Sequence, residues 1–122
     1  MTNTQKRIVF LQRFAEFTQF AKTFEIDFIV TCFYRGRDEQ YELYLDGKSK
    51  LDGYEHRSAH QDWLAIDIVV ITNGKPEWRR TEQYETLGRQ WKKMGGIWGG
   101  DWESLNDIYH FQTGESSEWF SY

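Results

Sequence analysis

The sequence predicts an α+β fold, a small single domain in which helices pack on a central antiparallel or mixed sheet. Three observations carry that expectation. Phe10, Phe14, Phe17, Ala21 and Phe24 recur at steps of four and three, the period of one helix face. Leu64 to Ile71 is a nearly continuous apolar run broken only by Asp67, which suits a central strand buried on both faces. After Thr81 the helical spacing returns, with Tyr84, Leu87, Trp91 and Met94 on one side, and Gly95-Gly96 stops it.

A chain of 122 residues can bury one core without disulfide staples, and residues 1–122 are expected to form that one domain. Six Trp, seven Tyr and nine Phe stand within a 39% hydrophobic composition, so the core should be built from large rings, some free to line a groove. The formal charge of −4 argues against general nucleic-acid binding, which leans on a basic face. Cys32 is the lone cysteine, so the fold cannot depend on an internal disulfide. The stretch Met1 to Arg7 leads into an amphipathic segment instead of a signal-peptide core, and no apolar run has the length of a membrane span. These features predict a soluble cytoplasmic product without membrane insertion, and a monomer is expected.

In order, the first helix should cover about residues 4–23, and Ile26 to Phe33 is rich enough in β-formers to read as a strand. Tyr34-Arg35-Gly36-Arg37 turns the chain. Asp38 can cap a short helix that runs through Leu45 and ends at Gly47. Residues 46–59 are polar and should form an exposed loop. Asn73-Gly74-Lys75-Pro76 is a turn signal after the central strand. Thr81 can cap the third helix, Ile97 to Trp102 is a tight aromatic and glycine-rich segment, and Ile108 to Gln112 reads as a final strand.

Asp67 is the anomaly. A carboxylate inside Ala65-Ile66-Asp67-Ile68-Val69 sits where an unpaired charge would cost several kcal/mol or more, so it needs a cation or a dense hydrogen-bond set. A salt bridge to an Arg would satisfy it, and so would a metal ion. His60 stands seven residues earlier, on the loop that feeds the strand. His110 lies between Tyr109 and Phe111, with Asp107 three residues before it. Taken singly, His60 could be a surface residue, His110 a core histidine bonded to backbone, and Asp107 a turn cap. Together, two imidazoles and a carboxylate make a zinc site with one position left for water, and a fourth carboxylate can work that water. A three-residue step does not put Asp107 and His110 on one face of a strand, so a turn or bulge just before His110 is predicted.

These residues resemble the zinc D-alanyl-D-alanine carboxypeptidases and L-alanyl-D-glutamate endopeptidases of peptidoglycan. The family pattern Ser-x-His, six residues, then Asp, with Ala two before the Asp, is matched by Ser58, His60, Ala65 and Asp67. Its second pattern, an acid, two residues, then His and an aromatic, is matched by Asp107, His110 and Phe111. Upstream, Tyr34, Arg35 and Gln40 match a Tyr-Arg pair followed by Gln, and the resemblance spans roughly residues 28–112 in the right order. Three positions depart: Trp63 and Phe33 stand where the family usually has Gly, and Gln112 where it often has an acid. Gly tolerates backbone angles that Trp does not, so Trp63 predicts an altered loop and a narrowed or reshaped cleft.

The resemblance implies a fold shared with Hedgehog signalling domains and D,D-peptidases. It implies one zinc ion held by His60, Asp67 and His110, with Asp107 as general base and Arg35 on the scissile carbonyl oxygen, Arg37 being the competitor for that role. Gln40 and Ser58 would serve substrate contact and loop support. Trp98 and Trp102 would wall the groove or pack in the core. Asp107 and the Trp98-Gly99-Gly100-Asp101-Trp102 segment resemble the endopeptidase branch, which implies a peptidoglycan stem peptide as substrate. The implied setting is an endolysin that waits in the cytoplasm for a holin. The rivals are a D,D-carboxypeptidase and a non-catalytic, zinc-stabilised domain that binds wall peptide.

Overall fold

A computed structural model of the chain describes residues 1–114. The first helix, α1 (Asn3–Thr23), starts at a capping box, in which Thr2 Oγ1 accepts the Gln5 N–H and Gln5 Oε1 accepts the Thr2 N–H. It buries Phe10, Phe17 and Ala21. Phe24, expected on that face, is the C-cap and is 58% exposed. The chain turns at Glu25, whose φ is +57°, and Ile26 takes the buried place with its N–H on the Ala21 carbonyl.

The sheet is antiparallel throughout and centred on β2 (Ala65–Thr72). Ala65, Ile66, Ile68, Val69 and Val70 are all buried, so the strand is covered on both faces as its apolar run predicts. β1 (Asp27–Cys32) lies along one side of β2. Along the other side, β3 (Lys75–Glu77) pairs with Val70–Thr72 and β5 (His110–Gln112) with Ala65–Asp67, and β4 (Ile97–Trp98) adds to β5. The short strands β3 and β4 are not evident in the sequence. Pro76 hides β3, and a proline is acceptable there because β3 pairs on one side alone. Asn73-Gly74 forms the two-residue connection between β2 and β3.

Helix α2 (Arg37–Leu45) is capped at Gly36, not at Asp38, since the chain is already helical at Arg37; Asp38 and Glu39 instead lie in the first turn, where negative charge suits the helix dipole. Helix α3 (Glu82–Lys93) follows Thr81, which holds the N-cap position without a side-chain capping bond. Its inner residues Tyr84, Leu87 and Trp91 are fully buried, and Met94 packs at the edge of the same core. The Phe17 ring sits 5.3 Å from Trp91, 5.2 Å from Phe111 and 5.7 Å from Phe28, so α1, α3 and the sheet meet around one aromatic hub. No helix among the described residues is long and apolar enough to cross a membrane.

Candidate metal centre and its cleft

Antiparallel register builds most of the site. Asp67 on β2 stands directly opposite His110 on β5 and Cys32 on β1, so the three side chains form a row on one face of the sheet. Cys32 occupies that place because the register of β1 shifts between Val30 and Cys32, a bulge that leaves Thr31 out of the ladder. His60 arrives from the turn of 3-10 helix Ala59–Asp62. Ser58 caps this turn: its Oγ accepts the His60 N–H at 3.2 Å, and Gln61 Oε1 accepts the Ser58 N–H at 2.8 Å. Gln61 Nε2 also donates to the Gly53 carbonyl at 3.0 Å, which ties the turn to the preceding loop.

The nitrogens converge on one oxygen. His60 Nε2 lies 3.2 Å and His110 Nδ1 lies 3.1 Å from Asp67 Oδ1. Each imidazole meets an acceptor on its far side: His60 Nδ1 is 3.1 Å from the Phe33 carbonyl, and His110 Nε2 is 2.7 Å from Gln112 Oε1. With one N–H of each ring donated outward, both inner nitrogens turn lone pairs toward a carboxylate. Something positive must then stand among them, either extra protons or a metal ion. Donors bound at about 2.0–2.1 Å around a tetrahedral zinc lie roughly 3.4 Å apart, close to the separations seen, so the residues fit the metal. Two overlapping clusters, Cys32–His60–Asp67 and Asp67–Asp107–His110, each bring ligand atoms within 4.8 Å of one another, and Asp67 joins them.

The electrostatics agree. Burial by itself would lower the His60 imidazole, but hydrogen bonds with Asp67 and Cys32 outweigh it and raise it to about 9. Burial by itself would raise Asp67, yet hydrogen bonds from His110 and His60 hold it well below the usual carboxylate range. Asp107 behaves in the opposite way: burial and the nearby Asp67 charge push it up, with His110 offsetting part of the rise.

Asp107 is carried by the turn that its spacing from His110 requires. The His110 N–H closes on the Asp107 carbonyl at 3.2 Å, and Asp107 Oδ1 accepts the Tyr109 N–H at 3.2 Å. Gly99 lets this turn settle, since a Cβ there would lie 2.5 Å from the Asp107 carbonyl oxygen and 3.0 Å from His110 Cβ. Arg35 reaches Asp67 Oδ2 with Nη2 at 3.4 Å and Gln40 Oε1 with Nη1 at 3.0 Å. Arg35, Asp67, Asp107, His110, Trp102 and Ser58 share a cleft of about 190 Å³. A wider groove of about 480 Å³ beside Ala21, Lys22 and Glu25 brings no comparable donor set together.

Several expected placements change. Trp98 does not wall the groove: it is 1% exposed, with Nε1 donating to the Ile108 carbonyl at 2.9 Å, and it packs into the core. Gln40 is fully buried and spends its amide on Arg35, Ser49 and Leu51, which removes it from direct substrate contact. Arg37 stacks over Tyr54 at 4.8 Å and does not line the cleft. Trp63 does adopt the left-handed conformation (φ +62°, ψ +33°) that favours glycine. Its ring turns away from the cleft, 4.5 Å from Tyr34 and 5.3 Å from Phe33 with Arg7 above it, so it leaves the cleft unnarrowed. That packing offsets a backbone cost of about 1–2 kcal/mol.

Sequence reading missed Gln112, Gly99 and Cys32 as parts of the site. Gln112 is two residues from His110 on the same strand, so period-two spacing could have indicated it. Gly99 lies in the glycine-rich segment that the sequence marks, but its close approach to Asp107 and His110 is tertiary, and nothing local marks Cys32, which joins through a bulge.

Residues 52–113, just over half of the chain, match the D-alanyl-D-alanine carboxypeptidase family. The chain belongs to that family. Among curated relatives, the peptidoglycan L-alanyl-D-glutamate endopeptidase CwlK of Bacillus subtilis is 29% identical across 71% of this chain, which spans 60% of that relative's length. Among solved structures, the Serratia marcescens L-Ala D-Glu endopeptidase ChiX is 30% identical, with a TM-score of 0.57 over 71% of this chain and 66% of the other. The D-alanyl-D-alanine carboxypeptidase match covers the segment that carries Ser58, His60, Asp67, Asp107 and His110.

Proposed function

We propose that the chain is a zinc-dependent L-alanyl-D-glutamate endopeptidase acting on the peptidoglycan stem peptide. The observation that carries this reading is the convergence of His60 Nε2 and His110 Nδ1 on Asp67 Oδ1 with Asp107 beside them in one cleft. Residues 1–122 are taken as one peptidase unit, of which 115–122 lie outside the described residues.

His60, Asp67 and His110 would hold the ion. When bound, zinc supplies Lewis acidity and makes hydroxide available near neutral pH. The remaining work belongs to the protein. Asp107, in the same cleft as His110 and Asp67, stands where it can accept a proton from water. The same carboxyl then returns that proton to the departing amine. Arg35, lining the cleft with its guanidinium fixed by Gln40, offers a donor to the carbonyl oxygen as negative charge develops there. The Phe33 carbonyl and Gln112 Oε1 hold the two imidazoles in the tautomers that leave their inner nitrogens free. Ser58 supports the His60 turn, and Trp102, tilted 5.0 Å from the His110 ring, gives the substrate a flat wall.

The test is product mass from a defined muropeptide digested by the zinc-loaded protein. Cleavage between L-alanine and D-glutamate supports the reading. Release of terminal D-alanine alone replaces it with a D,D-carboxypeptidase, and intact substrate argues for a wall-peptide binder. An endolysin that needs a holin for release remains the setting this activity would suit.

A further inference from the structure

One wall of the cleft is formed by Lys48, Ser49 and Leu51, and it is pinned from several sides. Gly47 ends α2 at φ +73°, the Lys48 N–H returns to the Leu43 carbonyl at 2.9 Å, and the Gly47 N–H returns to Tyr44 at 3.1 Å. The buried Gln40 donates to Ser49 Oγ at 2.9 Å and to the Leu51 carbonyl at 2.7 Å, while its oxygen accepts from Arg35. Lys50 Nζ reaches Ser104 Oγ at 2.7 Å, which ties this wall to the segment carrying Trp102 and Leu105. The backbone of Lys48 is therefore set relative to Arg35 and not left to a loose loop.

Lys48 lines the cleft and also the adjoining open groove, which it shares with Leu105, Asn106, Asp107 and Tyr109. The other charged groups of the cleft are already engaged with the centre. Arg35 contacts Asp67, and Asp67 and Asp107 lie with His110 in one cluster of metal-type donors. Lys48 forms no ion pair among the described residues.

The chemistry of the proposed bond supplies a partner for that charge. In an L-alanyl-D-glutamate linkage the glutamate is joined through its amine. It therefore brings two carboxyl groups close to the cut, and the continuing peptide can use only one of them. A second, ionised carboxyl approaching Asp107 would be repelled unless a cation met it. Resting on the endopeptidase reading, we infer that Lys48 binds the free carboxylate of the residue on the amine side of the scissile bond. The enzyme would thereby select glutamate over its amidated form, isoglutamine.

The experiment compares two tripeptides, N-acetyl-L-alanyl-γ-D-glutamyl-L-lysine and the same peptide with the free carboxyl as its amide. Both are given to the zinc-loaded full chain at low salt. Wild type is expected to prefer the carboxylate by about ten-fold or more in kcat/KM, mainly through KM, as a charge-assisted hydrogen bond would give. Lys48→Met should bring that ratio near one by slowing only the carboxylate substrate, with zinc content and melting temperature unchanged because the side chain is exposed. Lys48→Arg should keep the preference, and raising the salt should shrink it in wild type. The same ratio in wild type and Lys48→Met overturns this inference alone. If wild type cleaves neither peptide, the endopeptidase reading falls and this inference with it.

Discussion

Gly99→Ala probes how tightly the base and the second histidine are positioned. The new Cβ would meet the Asp107 carbonyl oxygen at 2.5 Å, His110 Cβ at 3.0 Å and Asp107 Cβ at 3.2 Å, whereas ordinary contact begins at 3.4 Å. The Asp107 carbonyl would have to retreat by nearly 1 Å. It cannot do so alone, because it accepts the His110 N–H, and the Asp107 N–H is itself held by the Gly99 carbonyl at 3.0 Å. The displacement therefore passes to the Asp107 carboxylate and the His110 ring. Overpacking of this kind costs about 1–3 kcal/mol, which lowers the melting temperature by roughly 3–15 °C in a chain of this size. A misplacement near 1 Å of a reacting group can cost on the order of 10²-fold in rate. The assay is kcat on a defined stem peptide at saturating zinc, beside a thermal melt of the same sample. Gly36→Ala is the steric control, since its Cβ would meet nothing nearer than Tyr34 Oη at 4.0 Å, and only the loss of a glycine N-cap on α2, worth about 0.5–1 kcal/mol, should show in its melt. A Gly99→Ala protein that cleaves within two-fold of wild type and melts within 1 °C of it would refute the positioning argument.

Three further outcomes are expected. His60→Ala, Asp67→Ala and His110→Ala should each lose zinc in metal analysis after dialysis, and unchanged metal content in any one removes that residue from the ligand set. For the metal-free protein, His60 is raised in the folded state from 6.5 to about 9, so its stabilising contribution is complete below about pH 6.5 and lost as pH rises through 9. The depressed Asp67 contributes above its unfolded value of about 4 and loses that contribution in stronger acid. Thermal melts should show stability falling by up to about 3 kcal/mol from pH 6.5 to 10, a fall that zinc abolishes; metal-free stability that rises across this range contradicts the assignment. Trp63→Gly should relieve about 1–2 kcal/mol of backbone strain but lose two ring contacts of about 0.5–1.5 kcal/mol each and further burial, for a net loss of up to about 2 kcal/mol with kcat unchanged. A ten-fold fall in kcat would place Trp63 in the cleft after all.

The parts of the molecule legible in the sequence are those fixed by local pattern. Period and punctuation marked α1, α3 and the buried β2, and the charge inside β2 singled out Asp67. The spacing of Asp107 and His110 demanded a turn, and the chain makes one. What stayed hidden depends on tertiary approach. Two-residue β4 is too short to show a period, and β3 contains Pro76, which its edge position tolerates. Trp98 looked equally suited to groove or core, and only the way Gly88 and Gly100 pack against its ring decides for the core. The family resemblance implies a substrate contact for Gln40, yet its amide donates to Ser49 and Leu51 and accepts from Arg35, so it fixes Arg35 and the wall around Lys48 instead. Trp63 stands at a position where the family usually has Gly, and its φ of +62° agrees; the direction of its ring is not deducible from the motif.

The central claim is that a metal held by His60, Asp67 and His110 works together with a separate base, Asp107. It is tested most directly by measuring zinc content and stem-peptide hydrolysis side by side in wild type and Asp107→Ala. The account predicts that the variant folds and keeps its zinc while hydrolysis falls by on the order of 10²–10⁴-fold. An Asp107→Ala protein that cuts as fast as wild type would contradict it.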